Sequence, residues 1–534
     1  MSALSAQHAR SSGQSRCAVN VGTTQAGRFQ LREYGVVKRF DRAAMIQLAD
    51  EYLASGNRAK ARSIYQKINE RDPGELDLIC KELVCAIRLC HWQRYDYLQR
   101  AMRDSFRYKG GLVVGEPLLA SPYFSAADLL DVNRRHMATL PMRPVVGGYP
   151  ERPRHIGCER IRVGFLGADF YNQATLHLMV GMLEEHDRSR YEYIAYDSGP
   201  CPLDDPIRQR AINAFDQFNY VHDLDNDALG EAIGSDNLDI LIFIRNLTDP
   251  RLGVLAQRRA PIQVAYLYNP SGFGAPAVDY LIADAVVVPP GHERFYSEQI
   301  ARLPFCYQPN DQKRPLPQPC TRAELGLPED RFVLANLGSP YKITPAMFDC
   351  WCTILRQHPQ CVLWLLETEP EVVSNLRCEA SLRGIDPDRL HFSPLDAIVR
   401  HISRLACADL MLDTYPYGGH TGSSDALWAG TPVLTLAGET FASRVAASLL
   451  HAAGLASLAT TSEADYIRMA SHLIEDKDAL AAYRRHLVSQ RMSLPLFDTR
   501  AYAADFERLL IDLLRDAQGR ATQMHEHHSP GLDQ

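Results

Sequence analysis

Residues 412–447, LDTYPYGGHTGSSDALWAGTPVLTLAGETFASRVAA, carry residue types and spacing suited to an anion with sugar hydroxyls attached. The pattern is strand, glycine-rich loop, helix start, short strand, loop, helix start. Gly418, Gly419 and Gly422 let backbone approach a ligand without Cβ obstruction. Thr421, Gly422 and Ser423 then present amides at a helix N-terminus, where unsatisfied N–H groups and the helix dipole favour phosphate. Asp425 falls in the first turn, where it can cap the helix or hold a vicinal diol such as ribose. A tight turn with Ser/Thr/Asp capping has the same glycine pattern. His420 separates the two readings, because a cap does not need an imidazole.

These residues need a scaffold of strands and helices to bring them together. Strand-like runs fall at 162–166, 193–197, 240–244, 264–268 and 281–282, with helical stretches between them. A second alternating set occupies 332–336, 362–366, 390–392, 410–412 and 433–436. Alternating strands and helices predict parallel sheets covered on both faces. Residues 308–319 are proline-rich and separate the two sets. Before the first set, Leu48, Ala49, Tyr52, Gly56, Ala61, Tyr65 and Pro73 have the spacing of one tetratricopeptide repeat. One repeat cannot bury its own face, so it must pack on a helical stripe of Leu76, Ile79, Leu83, Ile87 and Cys90.

The 534 residues suffice for two or three domains, and a net charge of -7 argues against a large nucleic-acid-binding face. Thirteen cysteines, an odd number without a CxxC pair, fit reduced thiols in a cytoplasmic protein. The N-terminus lacks the apolar core of a signal peptide, and no apolar run is long enough to span a membrane. Asp223 and Asp225 have DxD form but sit in an Asp/Asn-rich loop, where turn chemistry is the expected role.

The segment GGHTGSSDALWAGTPVLTLAGETFASRVAAS resembles the signature of the protein O-linked N-acetylglucosamine transferases and their SPINDLY-type relatives. IRVGFLGADFYNQATLHLM (161–179), APIQVAYLYNPSGFGAPAVDYLIAD (260–284), FVLANLGSPYKITP (332–345) and VLWLLE (362–367) resemble that family in the same order, over roughly residues 160–513. The resemblance implies an α/β chain of GT-B architecture: two doubly wound Rossmann-like domains facing a cleft, preceded by a short all-helical repeat region. The expected organisation is a disordered tail (1–40), the helical region (41–110), a connector (111–158), an acceptor-side domain (159–318), a nucleotide-sugar domain (319–498), a C-terminal helix (499–516) and a disordered tail (517–534).

The family's activity is glycosyl transfer from a nucleotide sugar. The resemblance places Lys342 on the diphosphate, with Ser339 where the motif has a phosphate-contacting glutamine. It places His401 against uracil, with Arg404 as a second base-side group and Asp425 on the ribose. His420 and Thr421 match a pair facing the donor sugar and diphosphate, and Gly422 stands in place of a threonine. Two departures concern the sugar and acceptor side. Gln173 replaces a histidine considered a base or an acceptor-positioning group, and glutamine takes no proton at neutral pH. His177 can substitute only if the segment is helical. In Tyr268-Asn269-Pro270-Ser271-Gly272 the family pattern is GYPGT, so Tyr268 narrows the pocket that Pro270 and Asn172 help to shape.

The expected function is an inverting, metal-independent transferase moving N-acetylglucosamine from a UDP-sugar to protein Ser/Thr hydroxyls. No cofactor, metal, nucleic acid or membrane partner is expected, and the helical repeat is a candidate recruiter of the acceptor protein. UDP-glucose or GDP-fucose would suit the same scaffold. The rival readings are a nucleotide-sugar-binding protein without turnover and, ranked lower, a nucleotide-sugar epimerase.

Overall fold

The computed structural model describes residues 41–527 apart from 112, 114, 141–159, 203 and 275. The expected tail 1–40 and residues 112, 114 and 141–158 of the expected connector (111–158) lie outside the described residues. Four helices open the described chain: Arg42–Ala54, Arg58–Arg71, Leu76–Arg88 and Tyr95–Lys109. The first two approach closely because Ala49 and Ala61 are small and fully buried, with Tyr65 packed beside them. Ile79, Leu83, Ile87 and Cys90 of the expected stripe are buried, whereas Leu76 is half-buried at its edge. Two further helices follow, Glu116–Leu119 and Ala126–Ala138, the latter started by a Ser125/Asp128 capping box.

The first sheet contains seven parallel strands: β1 (Ile161–Gly167), β2 (Tyr191–Asp197), β3 (Gln217–Tyr220), β4 (Ile240–Phe243), β5 (Ile262–Ala265), β6 (Tyr280–Asp284) and β7 (Gln299–Leu303). Their order is β3-β2-β1-β4-β5-β6-β7. The second sheet contains β8 (Phe332–Asn336), β9 (Cys361–Leu366), β10 (Leu390–Ser393), β11 (Leu410–Leu412), β12 (Val433–Leu436) and β13 (Ala459–Thr460), in the order β10-β9-β8-β11-β12-β13. Both are doubly wound and parallel, so their central strands are buried on both faces: β4, β9 and β12 have no exposed residue.

Strand order determines where the site lies. In each sheet the direction of winding reverses beside the first strand, between β1 and β4 and between β8 and β11. Loops diverge at such a switch point, and ligands bind in the crevice beyond the strands' carboxyl ends. The loops after β8 and β11 are those that contain Lys342 and the glycine-rich segment. The loops after β1, β4 and β5 carry Gln173, Arg245 and Tyr268.

The last helix, Thr499–His527, continues past residue 516, into the segment expected to be a disordered tail; 528–534 lie outside the described residues. It returns to the first sheet. The Tyr191 hydroxyl donates to the Glu507 carbonyl at 2.8 Å, and the Tyr266 and Tyr502 hydroxyls lie 2.6 Å apart. Asp225 of the DxD-like pair caps the helix Asn226–Ser235 by accepting from the Ala228 N–H at 2.8 Å.

Candidate active site

A cleft of about 420 Å³ lies between the two sheets. Gln173, Tyr268, Ser339, Lys342, His401, His420, Thr421, Gly422 and Asp425 line it, which brings together residues up to about 250 positions apart in sequence.

The glycine-rich loop follows β11 and feeds the helix Thr421–Ala429. Its shape is held by Asp413, whose carboxylate accepts from the Gly419 N–H at 2.6 Å and the Thr435 hydroxyl at 2.7 Å. A Cβ at Gly419 would lie 2.0 Å from Ser423 Oγ, so only glycine fits there. At Gly422 nothing stands within 4 Å of the Cβ position, and the space is open. The first amide to bond back onto the helix is that of Ser424, to the His420 carbonyl at 3.0 Å. The amides of Thr421, Gly422 and Ser423 precede it and form the polar end of the helix.

Lys342 reaches this loop from the end of β8. Its Nζ donates to the Gly418 carbonyl at 2.8 Å and stands 3.9 Å from the centre of the Tyr417 ring. Burial pushes the ammonium down to about 8, against the opposing pull of Asp413 and Glu116. His420 caps the helix with its ring 5.3 Å from that of Tyr417. Burial, with Lys342 nearby, holds His420 well below the usual imidazole range, so it is neutral. Its Nε2 is buried with no partner among the described residues, while the backbone of Ala442 engages the ring's other side. A neutral imidazole tied in this way can accept a hydrogen bond from a ligand but is a poor proton store.

At the other end of the cleft, His401 lies on the helix Ile398–Leu405, beside Leu395, which is 75% exposed. Burial, then the neighbouring Arg404, lowers His401 to about 4. Arg404 does not line the cleft as a base-side contact. It is 2% exposed and donates to the Pro394 carbonyl at 2.6 Å and to His401 Nδ1 at 3.3 Å. Arginine has no acceptor, so Nδ1 accepts and Nε2 carries the proton. That Nε2 is 3.8 Å from Asp425 Oδ2. The other Asp425 oxygen binds Arg314 at 3.0 Å, and burial raises the carboxyl to about 6 despite that partner.

Three further expected site residues stand off the cleft. His177 is on the helix Ala174–Glu184, but its Nε2 meets Asn172 Oδ1 at 2.7 Å, and neither residue lines the cleft. Pro270 belongs to a second cavity of about 230 Å³ lined also by Glu116, Leu118 and Asn246. Tyr268, Tyr341 and Tyr417 are shared by both cavities and form the wall between them. Arg245 stacks at 4.8 Å on Tyr268 while gripping Asp169 at 2.7 and 2.8 Å, which makes that part of the wall rigid. Leu267, just before Tyr268, has φ +69°, a strained value for a branched residue.

Sequence reasoning missed Arg314, Tyr341, Tyr417 and Gln308. Tyr341 and Tyr417 lie in segments already singled out, and only the packing brings them to one cleft with Gln308. Arg314 comes from the proline-rich break between the two strand sets, where a charged residue reads as solvated.

The sequence matches glycosyl transferase family 41 over residues 148–319 and 318–506. The chain belongs to glycosyltransferase family 41. Among its family 41 relatives, SEC of Arabidopsis thaliana, named as a probable UDP-N-acetylglucosamine–peptide N-acetylglucosaminyltransferase, is 35% identical over 66% of this chain and 37% of its own length. The UDP-N-acetylglucosamine–peptide N-acetylglucosaminyltransferase of Caenorhabditis elegans is 28% identical over 66% of this chain and 40% of its own. The chain thus spans about two fifths of the length of these curated relatives. A mutant O-GlcNAc transferase of Thermobaculum terrenum superposes with a TM-score of 0.75 and 27% identity, covering 90% of this chain and 92% of that one. The two doubly wound sheets and the helical region before them are therefore the architecture of a solved relative.

Proposed function

We propose that this chain transfers a sugar, first N-acetylglucosamine, from a UDP-sugar to serine or threonine hydroxyls of proteins, with inversion and without a metal. The observation that carries this reading is Lys342. A buried ammonium at the end of β8 meets the glycine-rich loop and helix N-terminus at the end of β11. That is where charge develops as a diphosphate departs, and preorganised donors there contribute ~3–4 kcal/mol each to lowering the barrier. The acceptor oxygen attacks the anomeric carbon and gives up its proton to the departing diphosphate or to solvent, as the bond to the diphosphate oxygen breaks on the opposite face. The amides of Thr421, Gly422 and Ser423 and the Lys342 ammonium take up the departing charge. His420 Nε2 accepts a hydrogen bond from the donor and positions it. His401 and Leu395 cover the base, and Asp425 holds the ribose.

The names of the relatives support the donor and acceptor classes, since they are peptide N-acetylglucosaminyltransferases. The second cavity, with Glu116 and Leu118 from the short helix Glu116–Leu119, is the natural approach for an acceptor segment. A cytoplasmic location and recruitment of the acceptor by the helices belong to the same reading. No described helix is long and apolar enough to cross a membrane. The test is a donor screen with UDP-N-acetylglucosamine, UDP-glucose and GDP-fucose against Ser/Thr peptides, with released nucleotide and peptide mass as readouts. Modified peptide together with released UDP supports the reading; release of GDP alone replaces the donor.

One observation favours a second reading, nucleotide-sugar binding without turnover. Gln173 lines the cleft in place of a titratable group, and its side chain accepts from the Ala174 N–H as a helix cap. Binding of UDP-sugars without release of UDP in the same screen would select it.

A further inference from the structure

The chain between the two sheets sends one side chain into the donor cleft that the reaction described above does not use. Gln308 is 1% exposed and lines the cleft together with Tyr268, Lys342, Tyr417 and His420. Its backbone is firmly held. Its N–H lies 3.4 Å from Cys306 Sγ, and the carbonyl of Tyr307 accepts from the Tyr502 hydroxyl at 2.5 Å. Two residues on, Asn310 Oδ1 takes the Arg314 guanidinium at 2.6 Å and the Ser424 hydroxyl. The Gln308 side chain is not held in this way. Its Nε2 is buried with no hydrogen-bond partner among the described residues.

A buried amide left unpaired destabilises the fold, and native proteins rarely keep one without a reason. A group fixed in place on a cleft wall, with its donor unsatisfied, is accounted for by a partner that comes and goes. The neighbourhood indicates which part of a nucleotide sugar that partner is. Tyr307, the preceding residue, packs at 4.8 Å on Phe441 and feels the hydroxyls of Tyr417 and Tyr266. Tyr417 and Tyr268 form the wall on the sugar side. The base end, with His401 and Leu395, comes from the helix Ile398–Leu405 and the loop before it.

We propose that Gln308 binds the sugar of the donor, pairing its carboxamide with hydroxyl or amide groups on the hexose, and so discriminates between donor sugars. The proposal rests on the reading of the cleft as a UDP-sugar site. A carboxamide both donates and accepts, as a sugar hydroxyl does, whereas a lysine ammonium or a backbone N–H can only donate. UDP alone has no such groups at this end.

The test is Gln308→Met, which keeps the length of the side chain and removes its hydrogen bonds. UDP, UDP-N-acetylglucosamine and UDP-glucose are titrated by calorimetry into the full chain and the variant, and the melting temperature is measured without ligand. The expected melting temperature is equal or higher, since an unpaired amide has been replaced by a thioether. UDP affinity is expected to stay within about twofold, while the extra affinity of at least one UDP-sugar over UDP falls about 3–10-fold. An unchanged sugar increment, or an equal loss for UDP itself, overturns the proposal. If the parent chain binds none of the three nucleotides, the reading of the cleft fails rather than the role of Gln308 alone. Should Gln308→Met not fold, Gln308→Glu, which keeps an acceptor and removes the donor, is measured in the same way against the same criteria.

Discussion

The ammonium of Lys342 donates to the carbonyl of Gly418 at 2.8 Å, although these residues belong to loops at the ends of different strands. This one bond joins the two sides of the switch point in the second sheet. It also keeps a positive charge beside the helix N-terminus.

Lys342→Met is expected to lower turnover about 10²–10³-fold, the scale of losing one preorganised donor to a leaving group. Its melting temperature at neutral pH should not fall. The buried ammonium, depressed to about 8, binds its proton less readily than the unfolded chain does, so it stabilises nothing near pH 7. An initial-rate assay and a thermal melt check both parts; an unfolded variant or unchanged turnover contradicts the role.

The same shift sets a pH dependence. Below about 8 the lysine is charged, and above it the charge is lost. The kcat/KM of the free enzyme should decline as pH rises through that value. The kcat of the donor complex should decline only at higher pH, because a bound diphosphate favours the charged form. Coincident profiles would assign the limb to another group.

Asp425 titrates on the acid side. Burial raises it to about 6, so it is an anion above that pH and a neutral acid below. Affinity for UDP-N-acetylglucosamine, whose esterified diphosphate does not titrate in this range, should weaken as pH falls through about 6, and Asp425→Asn should show a weaker, flat profile. His401, lowered to about 4, stays neutral throughout and contributes no slope. His401→Ala should lose about tenfold in UDP affinity and His401→Phe should retain it, if the ring acts by stacking on the base. Calorimetry between pH 5 and 8 tests both residues.

Tyr268 and Gln173 are testable as adaptations. Tyr268→Gly removes one face of the wall between the cavities and should widen donor use towards bulkier sugars. Gln173→His should raise transfer to a Ser/Thr peptide, since a base or positioning group is worth roughly 10²–10⁴-fold. A parent that already transfers N-acetylglucosamine quickly, with both variants slower, would make the two residues parts of a working site.

Removal of metal should change nothing. Extensive dialysis against EDTA is expected to leave nucleotide binding and turnover intact, because Lys342 and the helix amides supply the positive field. Loss restored by Mg²⁺ or Mn²⁺ would point to a metal mechanism.

Much of the scaffold was legible in the chain itself. The central strands, β1, β4, β8, β9, β11 and β12, read as largely apolar runs because both of their faces are covered. The three unexpected strands, β3, β7 and β13, are all at sheet edges. An edge strand is half exposed and needs no such run, as the exposed Gln217 and Tyr220 of β3 illustrate. Pairing with a neighbour, which is a tertiary event, makes it a strand.

The site divides in the same way. Composition and spacing alone marked a glycine-rich loop before a helix, with His420 and Asp425 in it, because backbone approach and helix amides depend on local order. Local order does not show which way a side chain turns once packed. His177 lies one helical turn from Gln173, yet it bonds Asn172 outside the cleft. Arg404 is buried behind His401 and sets its tautomer. Gln308 and Arg314 come from a segment that reads as a break; the packing of the two sheets brings Gln308 to the cleft and Arg314 onto Asp425 behind it. The sequence by itself determined the elements and the anion-binding loop, through periodicity and backbone chemistry. The tertiary structure decided which charges are desolvated, which polar atoms are left unpaired, and which side chains separate from distant neighbours or meet them, because burial and long-range contact exist only once the two sheets face each other.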